Sequence, residues 1–337
     1  MACTLPRCIP CRYVYMILGF FGMLFCFALK TNLAMAMVSM VNHTAIRLEQ
    51  DREHNLNTSK RHVHLDTVPE DELPVEHKEK DGTFMWSLSL QGIIVSSYFW
   101  GYLFGQIPGA RIAEDVSGAW AFFAGVSAHI LGTLLIPVAA TVHYGLIICI
   151  RVVQGFLGGF TFPATHFLLT RWAPPNERSL IGSFVYSGAP MGNVLSLLCT
   201  ANIAYYINWE ASFYIMGAIG LPWMLLWVIF INDNPRKHKF IREDEKDYLT
   251  QTLQLPLDDT SERLKVPWKT IASSGQVWVL VVTHISLCWG VYTSLTQLPL
   301  FMKMVLEFRL DENGFVSSVP FIDPAYDNTK IKLLPLL

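Results

Sequence analysis

Charge is what this sequence has least of. Only 15% of its 337 residues are Asp, Glu, Lys or Arg, against 52% hydrophobic, whereas soluble domains carry about 25% charged residues. The formal net charge of −2 excludes the excess of Lys and Arg that a nucleic-acid footprint needs. A disulfide framework is also excluded: seven cysteines are present, but the long polar stretch at 42–85 holds none. Cys8 and Cys11, in "CIPC", have the spacing of a redox or metal pair, and equally that of a juxtamembrane acylation site or of chance. There is no nucleophile beside a base, no metal-ligand cluster and no glycine-rich phosphate loop. Enzyme chemistry and a resident metal or cofactor therefore have no support.

What fills the chain instead is long apolar runs, near 14–41, 86–107, 119–140, 144–169, 180–206, 211–231 and 277–304. Each reaches the roughly 20 residues a helix needs to cross a hydrocarbon core of about 30 Å. In lipid only helices and closed barrels satisfy the backbone, and these runs show none of the two-residue alternation of a barrel strand. The expected class is an all-α, multi-pass membrane protein embedded in the lipid bilayer. The first run is too long for a signal-peptide core and contains Lys30, so it is read as a span.

The flanking cations set an orientation. Arg7 and Arg12 precede the first run, Arg171 and Arg178 follow the fourth, and Arg236, Lys237, Lys239 and Arg242 follow the sixth. All three groups fall on one face, which places the N-terminus in the cytoplasm and excludes a seven-span receptor with its N-terminus outside. The stretch 42–85 then lies outside or in a lumen. It carries two glycosylation sequons, "NHT" at Asn42 and "NTS" at Asn57, usable only on that face.

Against this apolar background two cations stand out. Lys30, in "FALKTNLAMAMVSMV" (27–41), lies about eleven residues from the end of its span, roughly 16 Å deep. That is too deep for easy snorkelling. Arg151, in "LIICIRVVQGFLGGF" (146–160), lies roughly 10 Å from the same face. No acidic residue occurs in the first six spans, and a buried cation requires compensation. Two readings stand: a bound anion supplies it, or backbone carbonyls and hydroxyls do. Gln154 follows Arg151 at i+3, on the same helix face. Gly155 and Gly159, and "GAPMG" (188–192), give small-residue stripes for close helix packing. Tyr98, Trp100, Trp289 and Tyr292 are aromatics that either line a path or pack.

Several stretches in order resemble one family. "YFWGYLFGQIPGARIA" (98–113), "TFPATHFLLTRWAPPNERS" (161–179), "INDNPRKHKFIREDEKDYL" (231–249) and "LPLFMKMVLEFRLDENGFVSSVPF" (298–321) are similar to the anion/cation symporters of the major facilitator superfamily. That solute carrier family includes sialin, vesicular glutamate transporters and type-I sodium–phosphate cotransporters. The resemblance runs from about residue 13 to 321. It implies a twelve-helix fold of two six-helix halves, of which this chain holds a complete N-terminal half plus the seventh helix, the rest of the C-terminal half being missing. The implied layout is a cytoplasmic N-terminus at 1–12, a six-helix half at 13–231 with the glycosylated loop 42–85, and a cytoplasmic linker at 232–276. The start of the second half follows at 277–321, then a divergent tail at 322–337.

The implied function is secondary active transport of an anion by alternating access, driven by H⁺ or Na⁺. Sialate, glucuronate, acidic amino acids and inorganic phosphate are the anions implied, and the membrane is lysosomal, vesicular or plasma. The alternative is a non-transporting truncated isoform, or an incomplete gene product, with a full-length paralogue or isoform as its partner. By the same resemblance Lys30 stands where the family usually has a substrate-engaging arginine, followed by Asn32; Arg151 matches the fourth-helix arginine; and Tyr292 matches an aromatic facing the central cavity. Lysine keeps the charge but not the planar fork that grips a carboxylate. Gly158 and Gln154 occupy positions where relatives carry glutamates, Val95 one where the glutamate carriers have histidine, and Asp115 and Ala119 ones where cations are expected.

Overall fold

A computed structural model describes residues 10–42, 45–46, 82–238, 240–253, 268–306 and 308–327. Asn57, Cys8, Arg7 and most of the 42–85 stretch lie outside the described residues.

Among the described residues, five continuous helical runs are long and apolar enough to cross a membrane: Cys11–Met40, Leu88–Val142, Tyr144–Trp172, Trp209–Phe230 and Gly275–Met304. The first is α1. The second, at 55 residues, measures about 80 Å at 1.5 Å per residue, enough for two crossings. It is broken by a π-helical turn at Ala113–Ser117 and by extended backbone at Ser117 into α2 (Leu88–Ile112) and α3 (Gly118–Val142). The third is interrupted by a turn at Gly159 and Phe160, giving α4 (Tyr144–Gly158) and α5 (Thr161–Trp172). Next come α6 (Arg178–Tyr206) and α7 (Trp209–Phe230). Helix α6 is long enough to cross, but Gly, Ser, Asn and Thr dilute its apolarity, and it is not among those five. Two short helices, α8 (Glu243–Leu253) and α9 (Trp268–Ala272), lead to α10 (Gly275–Met304) and α11 (Leu310–Asp327).

The last helix departs from the expected layout. Its first half lies within the expected start of the second half at 277–321, yet the helix runs past residue 321 to Asp327, into the stretch expected as a divergent tail. It packs along α6, with Gly314 against Ala201 and the Leu197 carbonyl. Asn313 is fully buried and donates to the Pro299 carbonyl at 2.7 Å.

Small residues set the packing. Helices α2 and α4 meet through Gly101, Gly105, Gly155 and Gly159; a Cβ on Gly155 would lie 1.9 Å from the Tyr98 carbonyl oxygen. Helix α6 lies along α1 through Gly188 and Gly192, which approach the Phe20 and Leu24 carbonyls. Polar bonds along that seam hold the register: Thr31 to Asn193 at 2.8 Å, Ser196 to the Ala28 carbonyl at 2.7 Å, and Thr200 to Asn32 Oδ1 at 2.9 Å.

Helix ends are tied by polar groups from elsewhere in the chain. At the far end of α1, Met40 and Asn42 pair with Phe84. At its start, Glu245 of α8 accepts from the amides of Cys11 (2.8 Å) and Arg12 (3.1 Å), and Arg12 Nε is 3.0 Å from Glu177. Asp233 accepts from Ala119 N at 2.7 Å, at the start of α3. A carboxylate at a helix N-terminus satisfies orphan amides and opposes the positive end of the dipole. Removing the cap with Glu245→Ala is expected to weaken the first turn of α1 by about 1 kcal/mol. Hydrogen exchange at Cys11 and Arg12 should then be about fivefold faster, with the α3 start unchanged.

Candidate functional site

Lys30 sits midway along α1 with 5% of its surface exposed. Its ammonium faces four aromatic rings, with Nζ to centroid distances of 4.5 Å for Phe27, 5.6 Å for Tyr98, 5.8 Å for Phe99 and 4.4 Å for Tyr292. Such rings offer a cation their negative faces, worth about 0.5–2 kcal/mol each, but no countercharge.

Arg151 enters from α4 and is 2% exposed. Its Nη2 donates to the Lys30 carbonyl oxygen at 3.1 Å, and its Nη1 lies 3.4 Å from Gln154 Oε1. Its Cζ is 5.0 Å from the centroid of Tyr98, the ring that Lys30 also faces. Among the described residues Arg151 Nε has no hydrogen-bond partner. Helices α1 to α6 contain no Asp or Glu, and among the described residues neither cation pairs with a carboxylate. Two positive groups thus converge on one ring, with a buried donor unused.

Behind that ring lies a residue that sequence reasoning missed. His129 of α3 is fully buried; its Nε2 is 3.1 Å from the Tyr98 hydroxyl and its Nδ1 2.7 Å from the Gly125 carbonyl oxygen. Gln154 Nε2 donates to the His129 carbonyl at 3.3 Å. A titratable residue inside an apolar span is itself a signal, and the one at 129 was there to be weighed.

Of the residues expected at a site, Lys30, Arg151, Gln154 and Tyr292 come together, and Tyr98 joins them. Asn32 does not. Residues two apart on a helix point about 200° away from each other, and Asn32 turns to α6, where it accepts from Thr200. Trp100 and Trp289 are 50% and 76% exposed and lie outside the cluster. Asn42 follows α1, accepts from Ala45 N at 2.8 Å and is partly exposed. Among the described residues no His, Cys, Asp and Glu group could hold a metal.

One turn from Lys30 toward Met40 opens a cavity of about 620 Å³ between α1, α2 and α10. Its lining includes Met37, Gln91, Val95, Thr296, Gln297 and Phe301. Gln91 is buried there, its Nε2 donating to the Trp86 carbonyl while Oε1 has no partner among the described residues.

A model of the Major Facilitator Superfamily matches residues 19–322. Human sialin is 40% identical over 319 residues, which are 94% of this chain and 61% of that protein. A putative inorganic phosphate cotransporter of Drosophila melanogaster is 34% identical over 94% of this chain and 58% of its own. Mouse vesicular glutamate transporter 2 is 29% identical over 93% of this chain and 50% of its own. The chain therefore spans half to three fifths of the length of these curated relatives. A crystal structure of a bacterial homologue of the human lysosomal transporter Spinster aligns over 93% of this chain and 60% of its own, at 13% identity and a TM-score of 0.48.

Proposed function

The chain belongs to the Major Facilitator Superfamily, and on that premise we propose that it carries the anion-binding part of a secondary transporter that works by alternating access. The observation that carries this reading is the pair of buried cations, Lys30 and Arg151, which among the described residues have no carboxylate and leave Arg151 Nε unpartnered. An anion between them satisfies the free donor and offsets both charges in a low-dielectric site, where the attraction is far larger than in water.

The relatives' names point to sialate, phosphate and glutamate as anions to try. The adjoining cavity favours an organic anion, because about 620 Å³ lies in the range that encloses small-molecule ligands, and phosphate would leave most of it to water. Gln91 Oε1 offers an acceptor for a hydroxyl or amide of such a ligand. By the flanking cations, the end with Arg12, Glu177 and Glu245 faces the cytoplasm. Asn42 and Asn57 face the lumen or exterior as glycosylation sites, in a lysosomal, vesicular or plasma membrane.

Equilibrium binding of labelled sialate, glucuronate and phosphate to the purified chain tests the proposal. At least one anion should bind saturably, and Lys30→Ala and Arg151→Ala should each weaken it tenfold or more, about 1.4 kcal/mol. Unchanged binding in both variants would sink the site assignment.

A further inference from the structure

Resting on that anion site, we infer that His129 binds the proton that accompanies the anion, with Tyr98 linking the two. The tautomer follows from the partners. A carbonyl only accepts, so Nδ1 carries the hydrogen that goes to Gly125 O, and Nε2 accepts from the Tyr98 hydroxyl. A second proton goes onto Nε2 and reverses a single hydrogen bond: the imidazolium donates to the Tyr98 oxygen, whose own hydrogen turns elsewhere. The bond to Gly125 is kept, so the ring need not move.

The surroundings fix when that proton is tolerated. From α1 the ring meets Cys26 Sγ at 3.8 Å, and the field of Lys30 reaches it. From α2 it meets Tyr98, and from α4 the field of Arg151 and the Gln154 amide. Among the described residues, α5 and α7 bring no titratable group to it: Thr161 meets Gly125, and Gly217 and Gly220 meet Leu134 and Ile130. A lone proton would add a third positive charge to two that lack countercharges. With an anion between Lys30 and Arg151, that opposition is offset. Proton and anion therefore favour each other, and by linkage each strengthens the other's binding by the same factor. The place is shaped for the imidazole: a Cβ on Gly158 would lie 2.6 Å from His129 Cε1 and 2.7 Å from the Tyr98 hydroxyl.

The experiment adds sialate or glucuronate to the purified chain in weakly buffered solution with a pH indicator. Both probes are strong enough acids to stay ionised, so any proton taken up goes to the protein. The wild type should take up as much as one proton per anion bound, and its affinity should weaken as pH rises, by at most tenfold per unit. His129→Gln should bind with no uptake and a flat pH profile, whereas Cys26→Ala should behave as wild type. Should His129→Gln fail to fold, infrared difference spectra of ring-labelled histidine in the wild type must show imidazolium bands appearing on anion addition. Uptake that persists in His129→Gln, or wild-type binding with no uptake between about pH 5 and 8, overturns the inference and leaves the anion site standing. No binding of either probe removes the anion site, and this inference with it.

Discussion

Gly155→Val is expected to abolish the folded chain. Its first side-chain carbon would sit 1.9 Å from the Tyr98 carbonyl oxygen and 2.9 Å from Tyr102 N. These are backbone atoms of α2, so no rotamer change relieves the contact and the two helices must part. The reciprocal contacts tighten the constraint, since Cβ atoms on Gly101 and Gly105 would lie 2.0 Å from the Val152 and Phe156 carbonyl oxygens. Overpacking of this kind exceeds about 3 kcal/mol when the backbone has to move, and helix association in lipid rests on close packing of this sort. Size-exclusion chromatography of a fluorescent fusion should show loss of the monodisperse peak. Any surviving protein should not bind anion, because parting α2 from α4 separates Tyr98 from Arg151. Gly92→Ala, on the same helix but with nothing among the described residues within 4 Å of the added carbon, should fold at least as well, since alanine is the better helix former by up to about 1 kcal/mol. Equal behaviour of the two variants would show that the α2–α4 seam does not limit folding.

The crossings were legible because lipid demands about 20 apolar residues in a row, and few sequences meet that by accident. The same rule leaves two features open. Helix α11 buries Asn313 and Ser317 and runs on past residue 321 to Asp327, where a polar, proline-containing stretch reads as a tail. Spans two and three, expected as separate runs, are the separate helices α2 and α3; the π-helical turn and the backbone angles at Ser117 that join and break them are not encoded in composition. At the site, Lys30 and Arg151 declared themselves by the expense of a buried charge. That α4 turns Arg151 onto the Lys30 carbonyl and the Tyr98 ring is tertiary geometry, and no spacing contains it. Asn32 was drawn in by the family resemblance, as the match two residues past Lys30, and the helical turn sends it the other way. Gly158 was noticed for the glutamate it lacks; its positive role, making room for His129, needs three helices in view.

Arg151→Met should separate stability from function. Replacing a buried ion pair by apolar groups of like volume is often neutral or stabilising by about 1–4 kcal/mol, and Arg151 has not even a countercharge to lose. Against the gain stand its bonds to Lys30 O and Gln154 and its contact with Tyr98. The Lys30 carbonyl lies within α1 and keeps a helical partner, and the ring contact is worth about 1 kcal/mol. Without anion the variant should therefore unfold a few degrees above the wild type, for a net gain of about 1 kcal/mol. Its affinity for the anion should fall about 100-fold, near 2.7 kcal/mol. Adding anion at about 100 times the wild-type dissociation constant stabilises the wild type by about 2.7 kcal/mol and barely affects the variant. The order of melting should then reverse. Thermal unfolding of both chains, with and without anion, reads this directly. A variant less stable than wild type in the absence of anion would mean that protein groups alone satisfy the guanidinium, and its depth in the membrane would then say nothing about a substrate.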